Sequence, residues 1–135
     1  MDCLFCAIVS GSVPSDRVYE DALSIAFLDH RPLFPGHVLL IPRRHVVTLA
    51  NLPPGDVGQF FQTVQQLGTA VERAMEADGS FVAINNIVSQ SVPHLHVHIV
   101  PRRRKDGLKG FFWPRTRYRD ETHQRETAER IRAAL

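Results

Sequence analysis

Three of the seven histidines in this 135-residue chain, His94, His96 and His98, stand at alternate positions just before Pro101. An extended strand points successive side chains to opposite faces and sets alternate ones ~6.6–6.8 Å apart. The three imidazoles therefore share one face, while Leu95, Val97 and Ile99 turn towards a core. With an unperturbed pKa of ~6.5, neutral imidazole is well populated near pH 7. Such a row could ligate zinc, act as acid and base, or supply one nucleophile with two supports. The strict alternation and the polar lead-in of Ser89, Gln90 and Ser91 argue against three idle, solvated rings.

Cys3 and Cys6 are the only cysteines. In a reducing compartment a Cys-x-x-Cys pair reads as metal-binding or redox-active rather than as a disulfide. A closed tetrahedral zinc site needs two further ligands, for which His45 and His94 are candidates. The alternative is a pair of reduced thiols in a small apolar N-terminal element.

These groups need a framework, and the remaining sequence supplies one. Residues 17–20 and 23–28 flank Asp21 and read as paired strands joined by a tight turn. Pro32, Pro35 and Gly36 mark a loop that leads into an apolar strand over 37–41, closed by Pro42. Val57, Phe60, Phe61, Val64, Leu67, Val71 and Met75 recur at helical spacing, which predicts one long amphipathic helix ended at Asp78 and Gly79. A strand over 81–84 and a polar turn then deliver the chain to the histidine row. Residues 122–135 form a second, shorter helix with Ala128, Ile131 and Leu135 on one side. Several short strands, two helices and no strand–helix–strand alternation predict an α+β fold.

The chain length suits one domain with a real core. No apolar run approaches the ~20 residues of a membrane span, and the N-terminal apolar stretch is too short for a signal peptide, so a cytoplasmic location is expected. Net charge is +2, but residues 101–119 hold eight Lys/Arg and one acid, leaving eight bases and thirteen acids elsewhere. That segment could steer polyphosphate or nucleic acid, or simply be a solvated loop. The aromatic stretch Phe111, Phe112 and Trp113, with Arg115, Arg117 and Tyr118, could stack on a base, grip phosphate or pack on a second subunit.

Residues 90–100, Gln-Ser-Val-Pro-His-Leu-His-Val-His-Ile-Val, and residues 34–45, Phe-Pro-Gly-His-Val-Leu-Leu-Ile-Pro-Arg-Arg-His, together resemble the two hallmarks of the histidine triad (HIT) family of nucleotide hydrolases and transferases. The Cys-x-x-Cys start is similar to its Hint-like branch. The likeness covers roughly residues 3–103 and leaves 104–135 as a basic and aromatic extension. It implies a HIT-like sheet of about five antiparallel strands with one long helix, usually in a homodimer. His96 then matches the nucleophile that forms a nucleotidyl-histidine. His98, Gln90 and Ser91 would donate to phosphate oxygens, and His37 would brace the triad from beneath. Asp29 would take the ribose hydroxyls, and Asn86 lies in the phosphate-side loop. Phe5, Ile8, Phe27 and Leu28 could line an adenine pocket or simply belong to the core. Zinc is implied as a structural ion on Cys3, Cys6, His45 and His94, and His94, the first of the triad, would bind it or support the catalytic pocket.

Transferase relatives commonly carry glutamine where this chain has His98, so hydrolysis to a nucleoside monophosphate is expected. The implied substrates are adenosine or guanosine phosphoramidates, aminoacyl adenylates and dinucleoside polyphosphates. Two other readings are a DNA 5′-adenylate hydrolase that uses the basic segment, and a nucleotide-binding protein without turnover. The chain also departs from the family pattern, with Ser89 where many members have glycine before the glutamine.

Overall fold

The computed structural model describes residues 2–109 and 114–135. Phe111, Phe112 and Trp113 of the aromatic stretch lie outside the described residues. The elements run α1 (Leu4–Ser10), β1 (Arg17–Glu20), β2 (Ser24–Leu28), β3 (Val38–Pro42), α2 (Pro54–Ala74), β4 (Gly79–Ile84), β5 (Val97–Arg102) and α3 (Glu121–Ala134). The strands form one antiparallel sheet in the order β1-β2-β3-β5-β4, so the expected α+β fold is present.

The turn between β1 and β2 is made by Asp21, whose Oδ1 accepts the backbone N–H groups of Leu23 and Ser24 at 2.8 Å each. This side-chain mimicry of a backbone turn is why an aspartate suits the break between two apolar runs. Helix α2 opens with Pro54 in its first turn, carries Asp56 in that turn and Arg73 in its last. Each choice suits the free N–H groups and the dipole at its end of the helix.

The sheet is covered on both faces, which explains why β2 and β3 read as continuous apolar runs rather than as alternating ones. Towards α2, Ala26, Val38, Leu40, Val97 and Ile99 pack with Phe60, Val64, Leu67 and Val71. Towards α1, Ile25, Phe27, Leu39 and Ile41 pack with Phe5 and Ile8. Each fully buried aliphatic or aromatic side chain of this kind contributes about 1.5–3 kcal/mol.

Several boundaries differ from those expected. The long helix starts three residues earlier, leaving Val57 exposed at its edge, and stops at Ala74. Gly79 begins β4 rather than ending the helix; the left-handed residue after α2 is Glu76, at φ 50°. The histidine row is only partly regular strand, because β5 begins at Val97 and His94 and His96 lie in the segment before it. α1 was not foreseen as a helix. α3 has no buried residue, and Ile131 on its apolar side is 61% exposed. None of the described helices is long and apolar enough to cross a membrane.

Candidate active site

The alternation places the three histidines as expected: Leu95, Val97 and Ile99 join the core beneath α2, and the imidazoles face the α1 side. His96 is 3% exposed, and the edge-to-face ring of Phe5 lies 5.0 Å from it, centroid to centroid. Its Nδ1–H donates to the backbone carbonyl of His94 at 2.7 Å. A carbonyl oxygen can only accept, so the proton is fixed on Nδ1 and the lone pair of the neutral ring on Nε2.

A second chain of hydrogen bonds fixes His98. The backbone N–H of Leu33 donates to His37 Nδ1 at 3.1 Å, so that nitrogen is an acceptor. The neutral His37 ring then carries its proton on Nε2 and donates to His98 Nδ1, 3.0 Å away. It follows that the proton of His98 sits on Nε2, a buried atom with no hydrogen-bond partner among the described residues. Burial first, and then the neighbouring His96 and His37, push His98 down to about 4. Burial also lowers His37, against the pull of Asp29, whose Oδ2 is 3.8 Å from His37 Nε2. Both rings are thus neutral at pH 7, as this assignment of protons requires.

His94 is on the same face but is fixed by a different carbonyl. Its Nε2–H donates to the Pro42 carbonyl at 2.8 Å, which leaves Nδ1 as a lone pair. That atom lies 3.4 Å from Cys3 Sγ, 3.6 Å from Cys6 Sγ and 3.3 Å from His45 Nδ1, and Cys6 Sγ lies 3.3 Å from His45 Nδ1. All four donors fall within 4.8 Å of one another. A tetrahedron with metal–sulfur bonds of about 2.3 Å and metal–nitrogen bonds of about 2.05 Å has edges of roughly 3.3–3.8 Å. The four donor atoms could therefore hold a metal of that size. Burial, then the hydrogen bond and charge of Cys3, raise the Cys6 thiol; a bound cation would reverse that bias.

A narrow cleft of about 110 Å³ brings together most of the residues singled out in the sequence. Phe5, Ile8, Phe27 and Leu28 belong to its apolar lining, with Leu4, Leu39 and Val92, and Asp29, Ser91, His96 and His98 to its polar lining, with His30. Asn86 and Gln90 do not line it. Asn86 Oδ1 accepts from Leu49 N–H at 3.0 Å, Gln90 Nε2 donates to the Val47 carbonyl at 2.6 Å, and Gln90 Oε1 accepts from Ile87 N–H at 3.2 Å. Both side chains stitch the loop 85–90 to the segment 47–49. Sequence reasoning missed the Leu33 amide and the Pro42 carbonyl, because no residue type marks a backbone donor or acceptor. It also missed a wider cavity beyond His98 that takes in Arg31, Asn85 and Ser89.

Residues 10–105 match the HIT domain family. The chain is 37% identical over 109 residues to an adenylylsulfatase of Arabidopsis thaliana, covering 79% of this chain and 55% of that one. It is 40% identical over 96 residues to an asymmetrical bis(5′-nucleosyl)-tetraphosphatase of Schizosaccharomyces pombe, covering 70% and 53%. Against an adenosine 5′-monophosphoramidase of Candida albicans, identity is 33% over 118 residues, covering 83% and 78%. A crystal structure of a HIT family member from Bacillus subtilis superposes with a TM-score of 0.90 at 31% identity, covering 100% of this chain and 98% of that one. A zinc-bound histidine triad protein from Mycobacterium smegmatis gives 0.75 at 38%, covering 100% and 99%.

Proposed function

Because the chain belongs to the HIT domain family, with relatives that are hydrolases of nucleotide phosphate bonds, we propose that it hydrolyses nucleotides at the α-phosphate through His96. The carrying observation is the His96 Nδ1–H bond to the His94 carbonyl, which leaves Nε2 as the nucleophilic atom in a cleft it shares with the unpartnered N–H of His98.

In this reading the base enters the slot between Phe5, Ile8, Phe27 and Leu28, and Asp29 accepts from the ribose hydroxyls. His96 Nε2 attacks phosphorus, a P–N bond forms, and the bond to the leaving group breaks with its electron pair going to that group. His98 Nε2–H and the Ser91 hydroxyl donate to the non-bridging oxygens, where negative charge grows in the transition state. Water then attacks the nucleotidyl-histidine, the P–N bond breaks, and the nucleoside monophosphate leaves while a proton passes to solvent. His96 returns with its proton still on Nδ1. A neutral His98 is the right form for this work, since it can donate yet adds no cation that would repel its partners.

Cys3, Cys6, His45 and His94 would hold zinc, which supplies a structural cross-link between α1 and the histidine segment rather than a Lewis acid. Four of the six donor–donor distances match tetrahedral edges, and these with the zinc-bound relative support this. A purine nucleotide as substrate, a homodimer as the working unit and a cytoplasmic setting belong to the same proposal.

The test is turnover by wild type and His96→Ala on adenosine phosphoramidate, adenylyl sulfate, lysyl adenylate, diadenosine tetraphosphate and 5′-adenylated DNA. Wild type should cleave at least one, and the folded variant should lose about 10³-fold or more of that activity. Rapid quenching of wild type should trap one nucleotidyl group on His96. Nucleoside monophosphate binding with no turnover of any of the five would replace this reading with a binding protein.

A further inference from the structure

Beyond His98 lies a cavity of about 610 Å³, much roomier than the cleft that faces His96. The two spaces share Asp29 and His98, but His96 lines only the cleft. In-line displacement sends the leaving group away from the attacking atom. The larger space adjoins the cleft at His98 and Asp29 and is not lined by His96, so it offers room for a leaving group expelled from a phosphate held by His98.

The polar side chains there have a definite character. The backbone N–H of Arg31 donates to Asp29 Oδ1 at 2.9 Å, which ties the residue to the rim. Its guanidinium has no hydrogen bond or ion pair among the described residues, and neither the Asn85 amide nor the Ser89 hydroxyl has a partner there. Leu33, Phe81, Ala83 and Ile84 make up the apolar lining and reduce hydration, which raises the worth of a nearby charge. Asp29 is the one acid of the lining, and its carboxylate is turned to the Arg31 amide and His37.

We propose that this cavity is a leaving-group subsite in which Arg31, with Asn85 and Ser89, selects a tetrahedral oxyanion, a sulfate or a phosphoryl chain, over a neutral leaving group. A guanidinium suits this task because it is always charged and offers paired N–H groups that match two oxygens of such an anion. The inference rests on the hydrolase reading and adds a substrate class to it. Neutral leaving groups gain nothing from Arg31, whereas an oxyanion is stabilised as its charge grows during bond breaking.

The experiment compares kcat/KM for adenylyl sulfate and for diadenosine tetraphosphate with kcat/KM for adenosine phosphoramidate, in wild type, Arg31→Lys, Arg31→Ala and Arg31→Glu. Each anionic-to-neutral ratio is read within one protein sample, so loss of folded enzyme cancels. Arg31→Ala should lower at least one ratio about tenfold, Arg31→Glu should lower it further, and Arg31→Lys should fall between Ala and wild type. The ratio that moves identifies sulfate or polyphosphate as the preferred group. Unchanged ratios across the series, with turnover that still depends on His96, overturn the subsite and leave the hydrolase reading standing. Absence of turnover of all three by wild type overturns the subsite, and the hydrolase reading falls with it only when lysyl adenylate and 5′-adenylated DNA are also left uncleaved.

Discussion

At the scale of single residues, the site works by fixing protons on particular ring nitrogens. The Leu33 amide sets His37, His37 sets His98, and the His94 carbonyl sets His96. Burial is the main cause that lowers His37 and His98, with neighbouring histidine rings adding to it. In the unfolded chain these histidines bind protons below about pH 6.5, whereas folded His98 resists until about 4. The unfolded state therefore takes up more protons over that window, and stability must fall as the pH drops from 6.5 towards 4. The urea midpoint should be lower at pH 5 than at pH 7, and His37→Asn should flatten the slope by removing one of the resisting groups. A midpoint independent of pH across this range would refute the neutral assignment. Much at this scale was legible: residue type and the two-residue period put His94, His96 and His98 on one face. The direction of each proton was not legible, because it depends on backbone groups that any residue could supply.

At the scale of elements, the loop before β3 has to bring His37 beneath His98 while passing close to the end of α2. Gly36 makes this possible, at φ 95° and so near Met75 that a Cβ would lie 2.5 Å from its Cγ. Gly36→Ala therefore combines a left-handed backbone that alanine resists with a steric clash, and should destabilise the protein by about 2–3 kcal/mol. Met75→Ala in the same chain should recover part of that loss, as read by the denaturation midpoint. Pro35 and Gly36 were visible in the sequence as a loop, but the reason for the glycine is a tertiary contact that no local pattern contains. The ends of α2 show the same limit. Its buried stripe follows from the spacing of Phe60, Val64, Leu67 and Val71, yet its stop was misplaced, since Glu76 accepts the left-handed geometry and Gly79 is drawn into pairing with Arg102. Ser89, where the family favours glycine, adopts φ 63°, a left-handed backbone that glycine takes freely and a side chain takes only with strain.

At the scale of the whole molecule, the cysteine pair and His96, the proposed nucleophile, form one mechanical system. α1 has seven residues, too few for a helix to persist alone in water. It is held by Phe5 and Ile8 against β2 and β3, and by Cys3 and Cys6 at its start facing His45 and His94. The same Phe5 covers the ring of His96, and the backbone of His94 supports that ring's proton. A metal on these four donors would thus pin one wall of the cleft and the anchor of the nucleophile together. α2 lies across the sheet and does not contribute to the donor set. Stripping the metal with a strong chelator should release about one equivalent of zinc and speed hydrogen exchange at the amides of residues 5–8 by at least about tenfold, with little change in the core of α2. Cys3→Ser and Cys6→Ser should reproduce that local loss of protection without chelator. Equal loosening of α1 and α2 would instead mean that the ion supports the fold as a whole, and no change at residues 5–8 would mean that Phe5 and Ile8 hold the wall unaided. The separation of these outcomes follows from the sheet itself, which puts the metal donors, the cleft and α1 on one face and the main hydrophobic core on the other.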